Sequence, residues 1–144
     1  MSANLYDTDY AAWLEQQAAL LKGGRVADLD TEHLAEQLEL EMGNERREIY
    51  KRLRILIGHL LKWKYQPEQR SASWAGTIRV QRKDLGKLLK DSPSLRRFLE
   101  PEALDAYTDA VELASFETGI PEAEFPENNP FSIENLLDKD YWPD

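Results

Sequence analysis

Apolar residues recur at every third or fourth position along most of the chain, which is the spacing of one face of an α-helix. The pattern predicts a first amphipathic helix from Tyr10 to Gly23 and a second after Asp30, whose carboxylate can cap its first turn. Within the second helix, the residues expected to face inward are Leu34, Leu38 and Met42. The pattern leaves open whether this helix continues through Gly43, because glycine inside a helix costs about 1 kcal/mol relative to alanine.

The stretch from 49 to 63 is apolar on nearly all sides, which is typical of a helix at the centre of a bundle. Pro67 ends this helix, since proline disfavours a helical residue before it and cannot donate a backbone hydrogen bond. Ser71 or Ser73 can cap the helix that follows. The central helix and its successor are therefore predicted to meet at a corner around Pro67.

The last third of the sequence predicts a short helix after Ser92 and a longer one from Pro101 to Gly119, with Leu104, Tyr107, Val111 and Ala114 facing inward. One or two helical turns follow within 132–142. No strand pattern occurs. We therefore predict an all-α fold, a compact helical bundle of about five helices plus a short C-terminal helix, and we expect residues 1–144 to form one domain.

The sequence contains no cysteine, which excludes a disulfide framework, a thiol nucleophile and a zinc site built on thiolates. No apolar run approaches the roughly 20 residues that span a bilayer. The first residues also lack the basic and apolar segments of a signal peptide. We expect a cytoplasmic protein with no membrane partner.

Charge is strongly segregated along the chain, whose formal net charge is -9. The net charge is -8 for residues 1–45, +11 for residues 46–99 and -12 for residues 100–144. A basic middle region is a candidate polyanion site, but an acidic protein is not typical of nucleic-acid binders. We interpret the segregation as acidic helices that fold over basic ones.

Three phrases resemble a known family, namely "HLLKWKYQPEQRSASWAGTIRVQR", "DSPSLRRFL" and "ENLLDKDYWPD". With these phrases the chain resembles the bacterial Domain of Unknown Function 29 family over almost its whole length. The resemblance implies an all-α domain of this size. Because the family carries no assigned activity, the resemblance supplies no catalytic residues.

Few residues are candidates for chemistry, since the chain has neither a Gly-x-Ser-x-Gly elbow nor a phosphate-binding glycine loop. His59 lies in an apolar run, where a neutral core histidine is the leading interpretation and an acid or base the alternative. Arg82 lies at the edge of an apolar face, so we expect it to be buried against a carboxylate of Glu36, Glu39 or Glu45. The alternative is a small anion held between helices. The weak catalytic candidates are His59, Arg82, Glu36 and Glu39.

His33, Glu36 and Glu39 share one helix face, which could offer an imidazole and two carboxylates to a metal. Carboxylates near a helix start are, however, already favoured by the helix dipole. We interpret this face as a solvated acidic surface, assign no metal site and expect no cofactor.

Two charged stripes are candidate partner-binding surfaces. The basic stripe, predicted to point outward from one helix, consists of Arg79, Lys83, Lys87 and Lys90. The acidic stripe, predicted to point outward from a later helix, consists of Glu102, Asp105, Asp109 and Glu112. Trp63 and Trp74 fall on apolar seams, so we interpret them as core residues and not as stacking platforms for nucleic-acid bases.

These observations favour an accessory or regulatory protein-interaction domain that offers charged helical surfaces to a protein partner or to a second copy. Two alternatives stay open. One is an enzyme of unknown class with a polar site around His59 and Arg82. The other is a nucleic-acid-binding module that uses the basic helix 74–90, which the net charge argues against.

Overall fold

The computed structural model describes residues 4–144, and all of the regular structure in that range is helical. The α-helices are α1 (Leu5–Thr8), α2 (Tyr10–Lys22), α3 (Thr31–Tyr65), α4 (Ala72–Asp91), α5 (Leu99–Thr118) and α6 (Ile133–Leu137). Short 3-10 segments lie at Val26–Asp28, Pro67–Gln69, Pro93–Phe98 and Glu122–Glu124. The prediction of an all-α fold is confirmed.

Local capping explains where the helices begin and end. Asp9, Asp30 and Ser71 precede α2, α3 and α4, and the side chain of each accepts a hydrogen bond from the backbone N–H three residues later. These bonds satisfy amides that have no partner within the helix. Gly119 follows α5 with a φ of 79°, a left-handed conformation that glycine adopts without strain.

Helix α3 runs without interruption through Gly43 and is 35 residues long. The question that the sequence left open at this glycine is thus answered by a continuous helix. By its contacts the chain divides into two compact units, one ending at Gly43 and the other comprising Asn44–Asp144. Each unit contains part of α3. The expectation of one domain over residues 1–144 stays a prediction.

The core of the second unit is built around α3, as its apolar pattern predicted. Residues of α3 that are fully buried include Ile49, Leu53, Leu56, Ile57, Leu60 and Leu61. Their partners in the same cluster come from α4, α5 and α6. Helix α3 lies close to α5 at Gly58, because a Cβ at this position would lie 2.5 Å from Cδ2 of Leu113.

Helix α5 buries most of the face that was expected, since Tyr107 and Ala114 are buried and Val111 packs against the core, but Leu104 is an exception. Leu104, predicted to point inward, is 75% exposed, so that prediction is wrong. The buried face also carries small residues at helical spacing, namely Ala103, Ala106, Ala110 and Ala114. Alanines leave room for the backbones of two helices to approach, which a row of leucines would prevent.

The first unit has a much smaller interior. Within residues 4–43 the buried residues are Trp13 and Gln17, both on α2. Leu38 and Met42 were expected to face inward, but they are 70% and 58% exposed, so the prediction is wrong for both. Within residues 4–43 only the short helices that precede α3 are available to cover Leu38 and Met42, and these helices leave both side chains exposed.

Candidate functional site

Arg82 on α4 is buried against the end of α6. Its Nε donates to the carbonyl oxygen of Leu136 at 2.9 Å, and its Nη2 donates to that of Asn135 at 3.0 Å. Both carbonyls belong to the last turn of α6, where no helical N–H remains to bond them. The expectation of a carboxylate partner for Arg82 is therefore wrong. A planar guanidinium can instead bond two adjacent carbonyls of one helix end.

A cavity of about 660 Å³ lies beside Arg82, between α4 and the residues that follow α6. Its walls are formed by Arg79, Arg82, Lys83, Gly86, Leu137, Lys139, Asp140 and Trp142. Four of these side chains are cationic and one is a carboxylate. Within residues 4–144 the third guanidinium nitrogen of Arg82, Nη1, is buried and has no hydrogen-bond partner.

Burial lowers the pKa of Arg82, and the Asp138 carboxylate acts in the opposite direction. Arginine nevertheless stays protonated at neutral pH, because its usual pKa is above 12. The Asp138 carboxylate itself accepts a hydrogen bond from the backbone N–H of Asp140. Arg82 therefore places a buried positive charge in the wall of the cavity.

The C-terminal segment contacts the rest of the second unit through aromatic rings and guanidinium groups. The rings of Trp142 and Trp63 lie 4.7 Å apart. The guanidinium of Arg79 lies 5.4 Å from the Trp142 ring, and that of Arg70 lies 5.0 Å from the Trp63 ring. Arg70 also donates to the carbonyl oxygens of Trp63 and Pro143. These contacts unite the two phrases that are most recognisable in the sequence, "HLLKWKYQPEQRSASW" and "DKDYWPD".

Trp63 and Trp74 are both half-buried. Trp63 packs against the core cluster and faces Trp142. The ammonium group of Lys62 lies 4.6 Å from the Trp74 ring. The interpretation as a core residue fits Trp63, whereas Trp74 is half-buried and does not belong to the core cluster.

His59 is half-buried on α3, and its Nδ1 lies 2.9 Å from the carbonyl oxygen of Ile55. Because a carbonyl oxygen only accepts, Nδ1 carries the proton. Burial is the main cause that lowers the pKa of His59. His59 is not among the residues that form the walls of the Arg82 cavity. The polar site suggested around these two residues is thus not assembled at that cavity.

In the first unit, His33 bonds to Asp30 and not to Glu36 or Glu39, with which the sequence suggested that it could bind a metal. Its Nδ1 lies 2.7 Å from Oδ2 of Asp30, and its ring stacks on Tyr6 at 4.0 Å. Glu36 and Glu39 are exposed. Over residues 4–144, no group of three or more His, Asp and Glu side chains is arranged to hold a metal ion.

The Asp30 carboxylate accepts hydrogen bonds from three donors: the indole Nε1 of Trp13 at 3.0 Å, the His33 ring and the His33 backbone N–H. The bond from the ring is the main cause that lowers the pKa of Asp30, and the same bond raises the pKa of His33. This network is the polar centre of the first unit.

The acidic stripe is not uniformly outward. Glu102 is only 8% exposed, and its Oε1 lies 2.6 Å from Nη2 of Arg46 on α3. Asp109 is half-buried and accepts a hydrogen bond from the Tyr50 hydroxyl. The prediction of an outward position is wrong for Glu102, because the acidic face of α5 turns toward the basic face of α3. Asp105 and Glu112 are exposed, as predicted.

The basic stripe differs from three basic residues of α3 in having no carboxylate partners within residues 4–144. On α3, Arg46, Arg52 and Lys62 each form an ion pair with a carboxylate of the second unit. The four stripe residues are all exposed. In the part of the chain that the structure describes, none of them forms an ion pair within 4.0 Å. Positive charge on α4 is thus left uncompensated.

Fold and site together define an all-α protein with a cationic cavity and an unpaired basic helix face. A family model described as "Domain of unknown function DUF29" matches residues 5–142. The chain therefore belongs to the DUF29 family, as the resemblance predicted. A search of curated proteins and a search of solved structures each found no match. No helix within residues 4–144 is long and apolar enough to cross a membrane.

Proposed function

We propose that this protein is an accessory or regulatory interaction domain whose basic stripe on α4 binds an acidic surface of a protein partner. One observation carries this proposal: three basic residues of α3 are paired with carboxylates, whereas the four exposed bases of the stripe follow one another along α4 and none of them forms an ion pair within residues 4–144. An uncompensated row of charge attracts a complementary surface and orients it on approach.

The stripe is suited to such a partner because it is displayed on a rigid, regular element. Its residues lie on a helix of 20 residues whose opposite face is anchored in the core by Ile78 and Leu85. The backbone is therefore ordered before binding, which lowers the entropic cost of association. Nucleic acid is less well matched, since Trp63 is already packed against Trp142 and the whole chain is acidic.

Fluorescence anisotropy with labelled poly-L-glutamate, at low and high salt, tests the proposal. The test variant combines Lys83→Glu, Lys87→Glu and Lys90→Glu. We expect the unmodified protein to bind at low salt and to release at high salt, because screening shortens the Debye length from about 10 Å to about 3 Å between 0.1 M and 1 M. The variant should lose binding at both salt concentrations.

A matched control changes three exposed bases outside the stripe by the same total charge, namely Lys51→Glu, Lys64→Glu and Arg96→Glu. Equal loss of binding in this control would show that only net charge matters and would contradict the proposal. Sedimentation velocity on the same samples examines the second-copy alternative. A dimer that the stripe variant abolishes would replace the external partner with a second copy of the chain.

A further inference from the structure

The cavity between α4 and the C-terminal segment has a positively charged wall. Arg82 is 5% exposed, and two of its three guanidinium nitrogens bond carbonyls of α6. Nη1 is buried without a partner in residues 4–144. Because Nη1 is fully enclosed, Arg82 contributes a fixed positive charge beside the cavity and not a donor for a ligand within it.

We propose that this cavity binds a small phosphate monoester, whose phosphate group is neutralised by the fixed charge of Arg82 and by the neighbouring cationic side chains. The cationic neighbours are Arg79, Lys83 and Lys139. Asp140 is the one carboxylate on the wall, so the lining carries a net charge of about +3 at neutral pH. A dianion balances this charge better than a single carboxylate does. Arginine and lysine are also the residues that most often bind phosphate.

The size and remaining surface of the cavity fit the rest of such a molecule. Its volume of about 660 Å³ lies within the range of small-molecule sites, roughly 300–1,000 Å³. Leu137 and Trp142 provide apolar surface next to the charged groups. Gly86 lies on the wall, and a Cβ added there would meet nothing within 4 Å. The space beside α4 is therefore open at this glycine.

This site is distinct from the proposed protein-binding stripe, although Arg79 and Lys83 belong to both. Lys139 lines the cavity and is not a stripe residue, whereas Lys87 and Lys90 belong to the stripe and do not line the cavity. Variants at these lysines can therefore separate the two proposals. Arg82 itself is a poor first target, because its loss would also release α6.

Isothermal titration calorimetry with phenyl phosphate, in a buffer free of phosphate, tests the proposal. We expect binding to the full chain, and about tenfold weaker binding to Lys139→Gln, which removes one charge-assisted contact. Gly86→Leu should fill the cavity without altering charge and abolish binding. Lys87→Gln and Lys90→Gln are the matched controls and should bind as the unmodified protein does. Circular dichroism melts verify that each variant is folded.

The choice of ligand sharpens the result. Benzoate carries the same ring with a single negative charge, so we expect it to bind about tenfold more weakly than phenyl phosphate. Absence of phenyl phosphate binding to the unmodified protein would overturn the proposal. So would full binding to a folded Gly86→Leu variant, or an equal loss in Lys87→Gln, which would indicate general attraction of anions to α4.

Discussion

Within residues 44–144, α3 contributes leucines and isoleucines that are completely buried in a cluster with α4, α5 and α6. Within residues 4–43, the same helix leaves Leu38 and Met42 exposed. Seven of the ten large apolar side chains that are exposed lie in this first unit, which is less than a third of the described chain. The apolar side chains of one continuous helix are thus exposed in its first part and buried in its second.

The difference indicates that the two units are stabilised by different means. Burial of apolar side chains dominates in the second unit, at about 25 cal/mol per Å² of apolar surface removed from water. In the first unit the interior is a polar and aromatic network around Asp30, with Trp13, His33 and Gln17 as its hydrogen-bond partners. The second unit should therefore respond most to changes in side-chain volume, and the first to loss of hydrogen bonds and to pH.

The largest expected effect comes from one substitution made at two positions on α3. Leu56→Ala should lower the free energy of unfolding by about 2–5 kcal/mol, because it opens a cavity in a closed core. Leu38→Ala, at an exposed site on the same helix, should change it by about 0.5 kcal/mol or less. Urea denaturation followed by circular dichroism measures both. A large effect at Leu38 would mean that this side chain is covered in solution.

A smaller effect is expected at the polar centre of the first unit. Trp13→Phe keeps an aromatic ring but removes the indole N–H that donates to Asp30, which should cost about 1–3 kcal/mol for a hydrogen bond to a charged group. Hydrogen exchange should accelerate at the amides of α2 and stay unchanged in α4. The matched control is Trp74→Phe, at a half-buried tryptophan of the second unit, which should leave exchange in α2 unaltered.

Ion pairs provide a third comparison. The carboxylate side chain of Glu102 is 11% exposed in its pair with Arg46, whereas Arg25 and Asp28 in the first unit are both more than half exposed. Double-mutant cycles to glutamine and asparagine should give a coupling free energy of about 1 kcal/mol for the first pair and about 0–0.5 kcal/mol for the second, because water screens exposed charges. Equal coupling in the two pairs would contradict the comparison.

The smallest expected effect is the opposite displacement of the two histidine pKa values. By NMR titration, His33 should titrate above the usual pKa of about 6.5 because of Asp30, and His59 below it because of burial. Asp30→Asn should bring the His33 pKa back toward about 6.5 and leave that of His59 unchanged. If both histidines titrated at the same pH, the proposed difference in environment would be wrong.

The signs of the linked stability changes follow from these directions. The raised pKa of His33 provides stability that is fully present below about pH 6.5 and is lost as the pH rises through the folded-state value. The lowered pKa of His59 provides stability that is present above about pH 6.5 and is lost as the pH falls through its folded-state value. The difference in urea stability between Asp30→Asn and the unmodified protein should become smaller, without vanishing, as the pH is raised past the His33 transition, because Trp13 still donates to the Asp30 carboxylate.

The helices and their caps were predictable because they depend on residues close together in the sequence. Asp30 and Ser71 bond amides three residues away, and the apolar run of α3 is buried whichever helices surround it. The candidate site was less predictable. Arg82 was correctly expected to be buried, but its carbonyl partners lie more than 50 residues away in sequence, and no local pattern indicates that they meet.

By itself, the sequence determined the all-α class, most helix limits and the central position of α3, since periodicity and capping act within a few residues. Only the tertiary structure decided that alanines, not Leu104, contribute to the buried face of α5 and that Glu102 turns inward to Arg46. It also decided that Trp142 packs against Trp63 beside a cationic cavity. The physical reason is that an amphipathic pattern shows which residues can be buried, whereas the shape and charge of the opposing element decide which of them are.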